Sequence, residues 1–286
     1  MNRRELLRGA AGAVAIWAAP RLRAQALSGK VSVLDMGGAN VVVFASGDTR
    51  VVVDSGPPSA AVVAKTGILF NTHYHTDQTG NNAKYAAGGA KIIAQARTKQ
   101  FMAADVWVPD EERYIKARDK ADLPTETFLT KGTLTAAGEQ IDYGHLPLAH
   151  TGGDIYVYFK TSNVLAVGDV ASPLRDPAFD YFTGAWIGGR VDALDILLAL
   201  SNEQTKIVPA YGAVMTKAEL KAERDMMEEL RARLFKQVRE GDGPKDMLAA
   251  GVLKGLPRTW KDPEKFLYDA AKGLWAHHDK LDANVV

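Results

Sequence analysis

The chain of 286 residues has no cysteine. Disulfides, thiolate zinc sites and a cysteine nucleophile are excluded together. Excess charge is also scarce: 35 Lys and Arg against 34 Asp and Glu leave a formal net charge of +1. That gives no electrostatic case for nucleic acid or an acidic membrane surface as a partner. Low-complexity segments, charge runs and Pro/Ser-rich linkers are missing. So is an apolar run of the roughly 20 residues that would cross a bilayer. What remains is long enough for one large domain with its own core.

The N-terminus reads as an address and not as part of that core. Met1 to Arg8 is basic and carries the pair Arg3-Arg4. Gly9 to Ala19 is short and mostly apolar, and Ala24-Gln25-Ala26 has the small-x-small form of a cleavage site. Residues 1–26 are expected to be an export signal of the twin-arginine type. The mature protein, about 260 residues, is then periplasmic, with no membrane association once the signal is cut.

The informative stretch is residues 67–80. Ile68 to Phe70 reads as a short buried strand, followed by Asn71-Thr72-His73-Tyr74-His75-Thr76-Asp77-Gln78-Thr79-Gly80. In an extended segment residues two apart point the same way, so His73, His75 and Asp77 are expected to converge. Two imidazoles and a carboxylate suit a Zn²⁺-like ion. Further on, His150 stands in Ala149-His150-Thr151-Gly152-Gly153-Asp154, and Asp169 in Ala166-Val167-Gly168-Asp169.

His-x-His-x-Asp after a strand, with those two motifs following in order, resembles the signature of the metallo-β-lactamase-fold hydrolases. The resemblance runs over roughly Val31 to Gly212. It implies an α/β fold, a four-layer αβ/βα sandwich, with His150 and Asp169 as the later ligands. Two positions depart from the pattern. Two-metal members have His directly after the Asp, where this chain has Gln78, and end on His-Gly, where it has Tyr211-Gly212. Family members also carry Asp-x-Gly where this chain has Asp54-Ser55-Gly56, the Asp commonly supporting a metal-ligand loop. The same residues equally fit an ordinary strand-ending turn.

The rest of the chain alternates strand-like and helix-like segments. Val31 to Leu34, Val41 to Ala45 and Val51 to Val53 read as antiparallel strands with tight turns. Asn81 to Ala87 and Arg97 to Ala104 read as helices flanking a strand at Lys91 to Ala94. Trp107 to Phe128 reads as surface loop and short helix. Gln140 to Tyr143, Leu146 to Leu148, Ile155 to Phe159, Val164 to Val167 and Lys206 to Pro209 read as strands, with a helix at Val191 to Leu200. This order suits two sheets with helices on both outer faces. Ala171 to Arg190 is a long aromatic loop, either facing substrate or pinned to the core.

Residues 27–215 make up the main domain on this reading, and 216–286 a helical extension. The extension opens on a capping-box pair, Thr216 and Glu219, and puts Leu220, Met227, Leu230, Leu234 and Val238 on one helical face. A second helix starts at Asp262-Pro263 and turns Phe266, Leu267, Leu274 and Trp275 inward. The extension packs on the domain or helps build a homodimer contact. His145 reads as structural, facing away from His150, and His277 and His278 as surface or packing residues.

His73, His75 and His150 supply three neutral nitrogens, the set of a catalytic zinc with one position open to water. Asp77 is then placed to orient that water or shuttle its proton. A second ion would have Asp77, Gln78, Asp169 and Tyr211, where the amide is a weak ligand and the phenol ligates only as phenolate, from a usual pKa of about 10. One Zn²⁺ is expected, with a second metal left open; a harder ion such as Mn²⁺ or Fe would suit the oxygens better. Tyr211 reads alternatively as a hydrogen-bond donor to substrate or as a filler of the missing His volume. The expected function is a periplasmic metal-dependent hydrolase acting on a small-molecule ester, lactone, thioester or amide, a β-lactam included. The alternatives are a catalytically weakened metal-binding accessory protein and an iron-dependent oxidoreductase.

Overall fold

The computed structural model describes residues 24–108 and 111–277. The basic and apolar parts of the expected export signal, and His278, lie outside the described residues. Ala24–Ala26 (β1), the expected cleavage site, is an exposed strand on a sheet edge.

Val31–Met36 (β2), Ala39–Ser46 (β3) and Thr49–Val53 (β4) continue from β1 as an antiparallel meander. Their side chains alternate, as a strand requires. Val42, Phe44, Val51 and Val53 point into the sandwich; Val41, Val43 and Val52 point to the outer face. Ile68–Phe70 (β5) then pairs parallel with β4, and the chain turns at once into Thr76–Thr79 (α1) and Asn82–Ala87 (α2). Lys91–Gln95 (β6) pairs parallel with β5, and Ala96–Ala103 (α3) follows it. Parallel strands covered on both faces are expected to be apolar throughout, and Leu69, Phe70, Ile92 and Ile93 are all buried.

The stretch expected to be loop and short helix has both, with a short 3-10 helix at Lys120–Asp122, and holds three strands as well. Val106–Val108 (β7) and Arg113–Ile115 (β8) form a separate hairpin, and Glu126–Phe128 (β9) closes the seven-stranded sheet beside β6. Their short length and exposed side chains removed the periodicity that marks a strand.

The second sheet has five strands: Lys131–Ala136 (β10), Glu139–His145 (β11), Ile155–Phe159 (β12), Val164–Gly168 (β13) and Lys206–Pro209 (β14). The first four are antiparallel; β14 joins β13 in parallel after the crossover helix Ile187–Leu200 (α4). Two expectations change here. Leu146 to Leu148 is a turn, with Leu148 at φ +56°, and β11 is one continuous strand. Helix α4 begins at Ile187, so the aromatic loop is shorter and Arg190 is a helical residue inside the core.

Between the sheets, Phe44, Val53, Phe70 and Ile93 meet Ile141, Val157, Phe159 and Val208. Helix α2 covers the outer face of the first sheet through Tyr85. The outer face of the second is covered by α4 together with Lys217–Glu240 (α5), Pro244–Ala249 (α6) and Pro263–Ala276 (α7). The architecture is the four-layer αβ/βα sandwich. Because Met227, Leu230, Leu234, Phe266 and Leu267 share one core with Leu165, Val167 and Ile207, the C-terminal helices are part of the same packed body. Helix α5 starts on a complete Thr216–Glu219 capping box. Trp275 points outward, and His277 is buried with its ring stacked on Trp186 at 4.7 Å. Among the described residues, no helix is long and apolar enough to cross a membrane.

The carboxyl ends of β5, β13 and β14 and the β11–β12 connection open at one edge of the sandwich. There β13 ends on Gly168 at φ +57°, where a Cβ would lie 2.9 Å from the Thr72 side chain. Only glycine lets the two strand ends approach so closely.

Candidate metal centre

Each histidine of the cluster is fixed by a partner on its outer nitrogen. Asp54, at φ +65°, turns its carboxylate back onto Thr72, accepting from the backbone N–H at 2.7 Å and from the hydroxyl at 2.8 Å. The Thr72 hydroxyl, its proton given to Asp54, accepts from His73 Nδ1 at 3.1 Å. His150 Nδ1 donates to the carbonyl of Ala178 at 2.9 Å, and His75 Nε2 donates to Asp180 at 2.8 Å. Tyr74 donates to the same Asp180 oxygen. These partners place a proton on each outer nitrogen and leave the other lone pair facing inward.

The three lone pairs converge. His75 Nδ1 is 3.1 Å from His73 Nε2 and 3.1 Å from His150 Nε2. Asp169 Oδ2 stands 3.8 Å from His73 Nε2 and 3.6 Å from His150 Nε2. All four ligand atoms lie within 4.8 Å of one another. A tetrahedral ion with Zn–N bonds of about 2.0–2.1 Å separates its nitrogens by roughly 3.3 Å, so the donor set and its spacing fit one such ion. Burial pushes His73 well below the usual imidazole range and lowers His150, which favours the neutral, ligating form of both. Burial also opposes charge on His75, but Asp180, Asp77 and Asp169 outweigh it and hold the metal-free ring at about 9.

Asp77 is not in that group. Strand β5 ends at Phe70 and the chain bends over residues 72–74, so a loop brings His73 and His75 together, while Asp77 lies in the first turn of α1 and outside the cluster. It accepts a hydrogen bond from the Tyr211 hydroxyl, and Arg175 Nη1 lies 3.8 Å from the same Asp77 oxygen. Gln78 is fully buried, its Nε2 3.4 Å from the Tyr211 oxygen and its Oε1 without a partner among the described residues. Burial, reinforced by Asp77, raises the Tyr211 phenol above its ordinary range. A phenol that donates to Asp77 and a neutral amide are weaker ligands for a second ion than the carboxylates beside them. Asp169 is held up at about 6 by burial and then by the charge of Asp77.

Asp180 is the residue that sequence reading missed. It lies in the aromatic loop, 105 residues from His75, with no motif around it. The loop does two jobs: Phe179 is buried against Phe266, while Ala178 and Asp180 hold His150 and His75. Beside His75 it borders a cavity of about 430 Å³, whose walls include Tyr74, Arg113, Arg118, Tyr181 and Phe182. His145 stays outside the cluster, its Nε2 3.3 Å from the Gly152 carbonyl. Replacing Asp180 with Asn keeps the shape of the loop but lets the amide oppose the required His75 tautomer. The expected result is metal affinity about 10- to 100-fold weaker, measured by competition with a chromophoric chelator.

A family model described as the metallo-beta-lactamase superfamily matches residues 34–210. Among solved structures, a metallo-beta-lactamase from Pontibacter korlensis is 16% identical with a TM-score of 0.57, covering 73% of this chain and 99% of that one. The DIM-1 metallo-beta-lactamase is 17% identical with a TM-score of 0.57, covering 74% and 99%. An archaeal metallo-beta-lactamase superfamily protein from Sulfolobus tokodaii is 16% identical with a TM-score of 0.52, covering 66% and 80%. At these identities the structures speak for the fold. The family model spans more than half the chain, and its match contains all four clustered ligands. The chain belongs to the metallo-beta-lactamase superfamily, whose members are mostly metal-dependent hydrolases.

Proposed function

We propose that the protein is an exported, zinc-dependent hydrolase that cleaves a small ester, lactone, thioester or amide. The observation that carries this reading is the convergence of three imidazole lone pairs, each with its outer nitrogen tied to a fixed acceptor. Bound there, a zinc ion supplies Lewis acidity and, at neutral pH, a hydroxide-like nucleophile. The chain's own groups do the rest. Tyr211 takes one oxygen of Asp77 and so fixes the carboxylate; the other oxygen orients the attacking water and accepts its proton. The cavity beside His75 receives the substrate, with Tyr181 and Phe182 as its apolar wall. Export rests on Arg3-Arg4 and the apolar segment after them.

The second reading, a metal-binding accessory protein without turnover, is favoured by Gln78 and Tyr211, which stand where two-metal relatives keep histidines. One experiment separates the two. Mature protein loaded with zinc is assayed against a panel of esters, lactones, thioesters, amides and β-lactams, then stripped with a chelator and reloaded. The hydrolase shows turnover on at least one class, lost on stripping and restored by zinc. A zinc-loaded chain inert across the whole panel leaves the accessory reading.

A further inference from the structure

Asp77 and Asp169 put two carboxylates near each other, and the residues beside Asp77, Gln78 and Tyr211, bring no charge to balance it. Arg175 is the cation that meets Asp77. Its Nη1 is 3.8 Å from Asp77 Oδ2, and its Cζ lies 3.2 Å from the centre of the Tyr211 ring, whose hydroxyl is bonded to Asp77. Arg175 is not a loose surface arm. Arg258 donates to its carbonyl at 2.5 Å, and the preceding residue, Leu174, packs so closely on Gly212 that a Cβ there would lie 3.0 Å from the Leu174 Cβ. The strand end carrying Tyr211 and the loop carrying Arg175 are therefore seated on each other.

We propose that Arg175 is the resident counter-cation of Asp77, so that a guanidinium and not a second metal ion holds the positive charge at this end of the site. The inference rests on the proposed function only in placing one ion at the histidines. A divalent ion entering between the carboxylates meets a like charge, a buried amide and a phenol that must give up its proton. Arg175 needs none of that: its planar guanidinium stacks on Tyr211 and faces Asp77 from the side open to solvent. Half of its side chain is exposed, at 53%, so water screens part of the repulsion it exerts on an incoming ion.

The test counts ions and needs no substrate. Zinc is titrated into metal-free wild type, Arg175→Ala, Arg175→Lys and the double variant Arg175→Ala/Asp77→Asn, with bound metal measured after gel filtration. Wild type and Arg175→Lys are expected to hold one zinc per chain. Arg175→Ala is expected to take up a second, its affinity raised about tenfold or more by removal of a unit charge near 4 Å. The double variant loses that second ion again, because one of its two carboxylates is gone. The Arg175 side chain is half-exposed and its backbone acceptor is unchanged, so the variants are expected to melt like wild type. Two tight ions in the wild type, or an Arg175→Ala titration that matches the wild type, overturns the proposal. Failure of any chain to hold zinc at its histidines overturns the proposed function instead. The comparison of the remaining carboxylate binding still decides the role of Arg175.

Discussion

Replacing His150 with alanine is expected to remove tight zinc from the protein and, with it, all turnover above the level of the stripped enzyme. The imidazole is one of three inward nitrogens and comes from the β11–β12 connection, opposite the segment that supplies His73 and His75. Without it the two remaining rings come from a single stretch of chain, and the ion is left with two imidazoles and a carboxylate. Loss of an outer partner alone costs about 10- to 100-fold in affinity, so loss of the ligand itself should exceed about 100-fold. Metal content after dialysis against a weak chelator is the readout, with His145→Ala as the control. His145 lies five residues earlier but bonds the Gly152 carbonyl and faces away from the cluster, so its variant should hold zinc like the wild type. Zinc affinity in the wild type should also rise with pH. The metal-free His75 ring is protonated up to about 9, and with Nε2 already committed to Asp180, the extra proton sits on Nδ1, the ligating atom. The ion must displace it, so affinity falls about tenfold for each pH unit below 9 while one proton is exchanged.

The parts of this site that sequence shows are the ones held within a few residues. His73 and His75 are two apart in one short motif, and His150 and Asp169 each sit in another. The same local logic failed for Asp77, because a helical turn starts at Thr76 and rotates the next side chain toward Tyr211. It could not reach Asp180, Arg175 or Ala178, whose roles exist only because an irregular loop is folded back over the histidines. The fold shows a similar division. Buried strands such as β3 and β12 announce themselves by β-branched and aromatic runs. Strand β10 is mostly polar and largely exposed, and so carries little strand signal in the sequence. Leu146 to Leu148 is apolar enough to pass for a strand, yet the chain turns there, with Leu146 buried, Pro147 exposed and Leu148 half-buried. In sequence Asp54 reads equally as the support of a metal-ligand loop and as a plain turn. Its left-handed backbone is the turn, and that turn brings its carboxylate to Thr72.

The buried pair Arg190–Glu223 is where the largest stability effect is expected. The Arg190 side chain is 0% exposed and that of Glu223 5%. Their direct contact is long, 3.4 Å, and Arg190 Nε and Nη1 find no partner among the described residues. What unites them is Ser172. Its backbone N–H donates to Glu223 at 2.9 Å, Arg190 donates to its hydroxyl at 2.7 Å, and Arg258 donates to its carbonyl. Ser172 is three residues after Asp169 and three before Arg175, so helices α4 and α5 clamp the loop that carries both. Glu223→Ala leaves a guanidinium in the core without its counter-charge and should cost about 3–5 kcal/mol. In a chain of this size that is a fall in melting temperature of roughly 10 °C. The double variant Arg190→Met/Glu223→Leu removes both charges and keeps the volume, so most of the loss should return, leaving the cost of the unbonded Ser172 amide. Thermal unfolding of the metal-free proteins measures both. A Glu223→Ala protein as stable as the wild type, or a double variant less stable than the single, would show that the clamp does not hold the fold. A double variant that is stable but binds zinc more weakly is the outcome the geometry favours, because the pair then serves to fix Asp169 and not to strengthen the core.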